Sequence, residues 1–163
     1  MTAPDDDPFA RPLRATGPWA VLWRTWYRLL LLVGGPLMRI ATGRGYGNIV
    51  VLRVRGRRTG RDRSVPVGLL TVDGKRYLGH PSGDTGWTRN LRTADSATVE
   101  GARIGIVAFR PVVLGPGSER DAVIRATFRQ HPFPGNVLYR LGSRHIRATG
   151  VFFRLVGPGL VAV

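Results

Sequence analysis

Two stretches of the chain carry residues whose types and spacing suit ligand chemistry. The first runs Gly56-Arg57-Arg58-Thr59-Gly60-Arg61-Asp62-Arg63-Ser64-Val65-Pro66-Val67. Its glycines let the backbone approach a ligand closely and adopt positive φ. Arg57, Arg58 and Arg63 offer planar forks for phosphate or carboxylate, and Thr59 and Ser64 add hydroxyl donors. The second runs His80-Pro81-Ser82-Gly83-Asp84-Thr85-Gly86-Trp87-Thr88-Arg89-Asn90-Leu91-Arg92. A glycine-bearing loop that enters a helix presents N–H groups with no helical acceptor, an arrangement that suits an anion. Trp87 either flanks a planar ring or fills core, and Asn90 is suited to satisfy a buried carbonyl. Taken singly, a basic hairpin tip also reads as a solvated turn.

Charge and composition narrow the partners without choosing one. Lys and Arg number 25 against 10 Asp and Glu, a formal charge of +15, and Lys75 is the single lysine. A field of that size attracts an anion: nucleic acid, lipid headgroups, or a phosphorylated or carboxylated cofactor. Nucleic acid is the least supported, because the aromatics gather on the first helix and on apolar faces rather than between arginines on strands. The absence of cysteine excludes disulfides, thiolate chemistry and Cys-based zinc or iron–sulfur sites, and it suits a reducing cytoplasm. His80, His131 and His145 lack metal-ligand spacing, and the acids are scattered, so no metal is expected.

The elements that must position these residues are legible from periodicity. Residues 1–17, with Asp5-Asp6-Asp7 and three prolines, read as a disordered arm rather than an export signal. Residues 18–41 form an amphipathic helical region. Its helix is expected from Pro18 to Val33, with Gly34-Gly35-Pro36 as the stop. At 1.5 Å per residue that helix is about 24 Å long, short of the ~30 Å hydrocarbon core. Trp19, Trp23, Trp26, Tyr27 and Leu30 share one face and Arg24 and Arg28 another. This is the pattern of a helix lying in an anionic membrane surface, with packing on the protein's own core as the alternative.

Residues 42–163 make up the remaining domain. Alternation predicts a strand near Val50–Arg55 with Val50, Leu52 and Val54 buried, and a second over about 63–71 in which Pro66 marks an edge or bulge. Asp73-Gly74 turns into a third strand over 75–80. Ser82 or Asp84 is placed to cap a short helix through Trp87 and Leu91. Strands are expected over 97–100 and 103–114, the latter with a break near Pro111. A helix capped by Ser118 and Asp121 should follow to Gln130, and a last strand over 151–156. Residues 136–149 fit no single period. The expected fold is α+β, mainly β: a six-stranded antiparallel split barrel with an N-terminal amphipathic helix and two inserted helices, closed so that no strand edge is exposed.

Arg-Arg-Thr-Gly, then Arg-Ser-Val-Pro, an Asp-Gly hairpin, and Trp-Thr-Arg-Asn-Leu-Arg occur in this order from about Ile49 to Val99. The set resembles the deazaflavin-dependent nitroreductase family. The resemblance implies a split β-barrel that binds coenzyme F420, with FMN as the alternative cofactor. It implies that Arg57, Arg58, Thr59 and Arg63 hold the phosphate and acidic tail. Ser64, Val65, Pro66, Val67 and Gly68 would line the deazaflavin. His80, Pro81 and Ser82 would approach from the end of the third strand, and Gly86, Trp87, Thr88, Arg89 and Asn90 would close the other side. Hydride transfer to a small-molecule acceptor is the implied chemistry, with a quinone, an activated alkene or a nitro compound as the substrate. Ser82, His131, Tyr139 and His145 are the candidate proton donors. Nitro-drug-reducing members carry several tyrosines before the last strand, where this chain has Tyr139 alone. The resemblance further implies a cytoplasmic protein resting on the inner face of the membrane, compatible with a homodimer. A binding protein without turnover is the alternative to a reductase.

Overall fold

A computed structural model describes residues 7–43 and 47–158. In chain order the elements are α1 (Pro18–Gly43), β1 (Ile49–Arg55), β2 (Asp62–Val72), β3 (Lys75–His80), α2 (Gly86–Arg92), β4 (Ala97–Gly101), β5 (Gly105–Val113), α3 (Ser118–Gln130), α4 (Gly135–Leu141), α5 (Ser143–Thr149) and β6 (Val151–Val156). The six strands close into an antiparallel barrel in the order β1-β2-β3-β6-β5-β4. The expected mainly-β barrel is therefore formed. The ambiguous stretch 136–149 resolves into α4 and α5, two short helices in addition to the pair expected.

Period-two alternation drives burial on both faces of three strands. Leu69, Leu78, Val151, Phe153 and Leu155 point into the barrel and join Leu52, Val54 and Val99 in its core. Their neighbours Leu70, Tyr77 and Phe152 point outward into a second core, shared with Val123 and Ile124 of α3, Tyr139 of α4 and Ile146 of α5. At Gly79 the strand comes so close to Phe152 that a Cβ there would sit 2.4 Å from the ring. Arg120 of α3 is buried in the same layer. Its guanidinium donates to the carbonyls of Arg147 and Gly150 at 3.0 and 2.7 Å and lies 4.0 Å from the centre of the Phe9 ring.

α1 departs from expectation in two ways. It runs through Gly34-Gly35-Pro36 to Gly43. Glycine and proline disfavour a helix interior by lost entropy and one lost hydrogen bond, yet the helix continues through all three. The aromatic face, expected to meet lipid, is closed against the second core. Trp23 is 2% exposed, and Trp19, Trp26 and Tyr27 pack around it. The side chain of Leu30 lies outside the described residues. The opposite face leaves Val21, Leu22, Leu29 and Leu32 in solvent. No helix among the described residues is long and apolar enough to cross a membrane.

Local details also differ. β5 passes through Pro111 unbroken, with Pro111 paired to Leu155. Gly117, not Ser118, caps α3, and Thr85 caps α2 in place of Ser82 or Asp84. Residues 7–16, read as a disordered arm, carry no regular element but are fastened. Phe9 is 5% exposed, and the Leu13 N–H and C=O bond the Asp84 carboxylate and N–H, both at 2.7 Å. The apolar Phe9 and Leu13, set among prolines, supply anchors that composition alone undervalued.

Trp23→Ala removes the largest side chain joining α1 to the barrel. It is expected to lower unfolding free energy by about 3–5 kcal/mol in urea titrations. For the same reason, a chain lacking residues 1–33 is expected to lose cooperative unfolding rather than yield an intact barrel.

Candidate functional site

β2 changes partner along its length. Ile49–Arg55 of β1 pair with Asp62–Gly68, whereas β3 pairs only with Leu69–Val72. Asn48 sits at the changeover, its carbonyl accepting from Leu69 N–H at 2.7 Å and its amide donating to Leu69 O at 3.1 Å. Carried onward, the β2–β3 register would set Val67 against His80 and Pro66 against Pro81. The strands instead part there. From Ser64 to Gly68, β2 is laddered to β1 alone among the described residues, which leaves an opening in the β2–β3 ladder, and His80, Pro81 and Ser82 beyond the end of that ladder are buried. Pro66 is tolerated because the side of β2 that lacks a partner needs no ladder donor.

Each expected site residue can now be placed. Arg57, Arg58, Thr59 and Arg63 are exposed at the β1–β2 tip. Five arginines fall within residues 55–63, and among the described residues none of them lies within ion-pair distance of a carboxylate. Arg57 turns toward α2: its backbone N–H and its guanidinium both donate to Asn90 Oδ1, at 3.3 and 3.1 Å. The two stretches singled out in the sequence are thus in contact. Along β2, Ser64 and Pro66 share the outward face with Gly68, while Val65 and Val67 turn to the barrel core and have only backbone to offer a ligand. Gly68 is covered from outside, since a Cβ there would lie 2.5 Å from His131 Nε2.

α2 contributes less than its sequence promised. The Thr88 hydroxyl is used within the helix cap, accepting from Thr85 N–H at 2.8 Å. Trp87 packs inward, its ring centre 6.3 Å from that of Phe153 and 6.2 Å from that of His80. Core filling therefore describes Trp87 better than ring stacking. Gly86 is exposed at the helix start, and Arg89 Nε is buried without a protein partner. Arg92 meets Asp84 in a buried ion pair at 2.9 Å, with side-chain exposures of 7% and 0%, and donates to the Phe9 carbonyl at 2.6 Å. This clamp ties the N-terminal arm to the loop after His80. It links the residue before the α2 cap to the last residue of α2, eight positions apart, a separation with no sequence signature.

Behind the opening lies an aromatic and imidazole layer. Tyr27 and Tyr139 share a hydrogen bond at 2.9 Å, and burial pushes the Tyr27 phenol up to about 12 and Tyr139 well above its usual value. Burial lowers both His80 and His131 to about 4, so both rings are neutral at pH 7. A cavity of about 10 Å³, room for one water, is lined by Gly79, Pro81, His131 and Tyr139 among others. Ser82, 9% exposed, lies 2.8 Å through its Oγ from His145 Nε2 on α5. Sequence reading named both residues but had no means of pairing two positions 63 apart.

No family model matches the chain, and no curated protein matches it. Solved structures do. An F420-H2 dependent reductase, FDR-A, superposes with a TM-score of 0.51 over 67% of this chain and 94% of its own, at 18% identity. A domain-swapped dimer gives 0.50 over 82% and 98%, at 16% identity. HutZ, the heme storage protein from Vibrio cholerae, gives 0.52 over 74% and 88%, at 13% identity. At these identities the likeness is one of fold. The same fold therefore occurs in an F420-H2 dependent reductase and in a heme storage protein.

The buried histidines set a pH dependence. Their folded-state values lie below the ~6.5 of an unfolded chain, so the unfolded state binds protons first as pH falls. Stability is expected to be unaffected above pH 7. It should drop by about 1.4 kcal/mol per pH unit per histidine between pH 6.5 and 4, measured by urea unfolding. His80→Phe should remove one histidine's share of that slope.

Proposed function

We propose that the chain is a deazaflavin-dependent oxidoreductase that takes reducing equivalents from reduced coenzyme F420 to a small or lipophilic organic acceptor. The observation that carries this reading is the contact between Arg57 and Asn90, which joins α2 to a tip whose arginines form no ion pair among the described residues. The residues fit an acidic, flat-ringed cofactor. Arg57, Arg58, Thr59 and Arg63 would hold its phosphate and carboxylates through charge-assisted bonds. The backbone of Ser64–Val67 has hydrogen-bonding groups directed away from β1 that suit the polar edge of a ring. His80, Pro81 and Ser82 would bound the far side, and Arg89 brings an unpartnered buried nitrogen to the same end of the barrel. The one-water cavity under His131 is too small for a ring. When bound, this cofactor supplies hydride chemistry, while the protein supplies binding, orientation and electrostatics. FMN shares the ring shape and phosphate but lacks the acidic tail, so the length of the arginine tip favours F420. Likeness to an F420-H2 dependent reductase supports the same choice.

The outward face of α1 supports a peripheral membrane partner. Seven of the nine large apolar side chains exposed among the described residues belong to α1 or to residues 131–149: Val21, Leu22, Leu29, Leu32, Phe133, Val137 and Leu141. Residues 18–43 and 131–149 contain no Asp or Glu, whereas Arg24, Arg28, Arg140 and Arg144 are exposed there. Apolar side chains ringed by arginine suit an anionic lipid surface, with the protein on its cytoplasmic side. A structural neighbour is a domain-swapped dimer, which supports testing for a homodimer by sedimentation.

Two measurements check these readings. Replacing Arg57 and Arg58 together by Ala should weaken F420 binding by about 2–4 kcal/mol in fluorescence titrations. Unchanged affinity would remove the arginine tip from the site, and tight binding without quinone or enone turnover would leave a binding protein. Substituting Leu22, Leu29 and Leu32 together by Ser should abolish cosedimentation with phosphatidylglycerol liposomes while leaving the fold intact by circular dichroism. Retained cosedimentation would exclude this face.

A further inference from the structure

Reduction of an organic acceptor by hydride leaves the acceptor one proton short, and the groups around the opening differ in their ability to supply it. Tyr139 is tied to Tyr27 and held protonated by burial. His131 is neutral, with Nδ1 at 3.0 Å from the Thr127 carbonyl and Nε2 against Gly68. His80 is neutral and enclosed, with Nδ1 3.1 Å from the Gly83 carbonyl. Ser82 differs, because its Oγ lies 2.8 Å from Nε2 of His145, a residue partly open to solvent. We infer that Ser82 and His145 form a proton relay from solvent to the acceptor.

This inference rests on the oxidoreductase reading. A bound reduced deazaflavin would supply the hydride, which would leave the acceptor with a lone pair to be protonated. The Ser82 Oγ–H bond breaks to protonate that lone pair. The Nε2–H bond of the His145 imidazolium breaks to restore the serine hydroxyl. The imidazole, now neutral, regains a proton from water. Ser82 does not act as an acyl nucleophile, because the N–H groups that follow it are used: Gly83 donates to Thr149 O at 2.8 Å and Asp84 to Leu13 O at 2.7 Å. No oxyanion hole is left.

The relay needs the imidazolium, so its rate falls as pH rises through the His145 midpoint, which partial burial holds below the usual value. The charged and titratable groups on the surrounding elements are Arg144 and Arg147 on α5, Arg140 on α4, Arg120 and Asp121 on α3, and His80 and Asp84 beside the loop. Asp121 is engaged by Arg147 at 3.6 Å and Asp84 by Arg92, so neither is free to hold the imidazolium.

The test uses the full chain in three forms: wild type, Ser82→Ala and His145→Gln. Without cofactor, NMR titration of the His145 imidazole should give a different midpoint in Ser82→Ala than in wild type. With reduced F420 and a naphthoquinone, His145→Gln should keep the F420 Kd within about twofold. Each variant should lose about 100-fold in kcat, together with the fall of kcat at rising pH. A His145→Gln enzyme with wild-type kcat and pH profile, or an unmoved His145 titration in Ser82→Ala, would overturn the relay alone. If wild type fails to bind F420 while the NMR coupling persists, the parent reading falls and the relay with it.

Discussion

The exchange of partners by β2 at Gly68 and Leu69 is the constraint on which the rest of the molecule hangs. One strand serves two ladders, β1 below the changeover and β3 above it. Asn48 bridges the junction with two hydrogen bonds to Leu69. The opening between β2 and the end of β3 is a direct geometric result. So is the placement of the arginine tip, which continues the singly paired half of β2. A strand paired on both sides throughout would leave no backbone for a ligand.

A second level of organisation follows from the two faces of β2, β3 and β6. Inward residues build the barrel core, and outward Leu70, Tyr77 and Phe152 require a cover. α1, α3, α4 and α5 provide it. Their aromatic residues then form the back wall of the opening, so stability and site architecture share Tyr27, His131 and Tyr139. The helical layer also explains why α1 carries so much tryptophan. Those rings fill space between helix and sheet, and the face left to solvent mixes aliphatic side chains with Arg24 and Arg28.

Strand content was legible in the sequence because alternation is local: Val50, Leu52 and Val54 announce their burial within five residues. The ordered motif pair was legible too, and the Arg57–Asn90 contact joins its two halves. What sequence could not give was anything set by long-range packing. Trp19, Trp23 and Trp26 define an apolar face, but periodicity does not say whether protein or lipid meets it. Glycine and proline at 34–36 read as a stop, yet the helix continues. The strand sends the side chains of Val65 and Val67 to the core and those of Ser64 and Pro66 outward, which leaves the backbone as what all four share on one edge. The Ser82–His145 and Asp84–Arg92 pairs depend on where two loops finish, and no local pattern records that.

Arg120 has one more consequence. Its guanidinium is held by main-chain oxygens at the end of α5 and by the Phe9 ring, not by an acidic side chain. Main-chain oxygens do not titrate in the physiological range. The contacts that Arg120 makes between arm, α3 and α5 therefore do not depend on a protonatable partner. By contrast, the strap between Glu119 and Arg154 loosens once the carboxylate is protonated. Acid acts on the molecule elsewhere, at the buried His80 and His131 rings and at the Glu119 strap, while the bonds made by Arg120 have no partner to protonate.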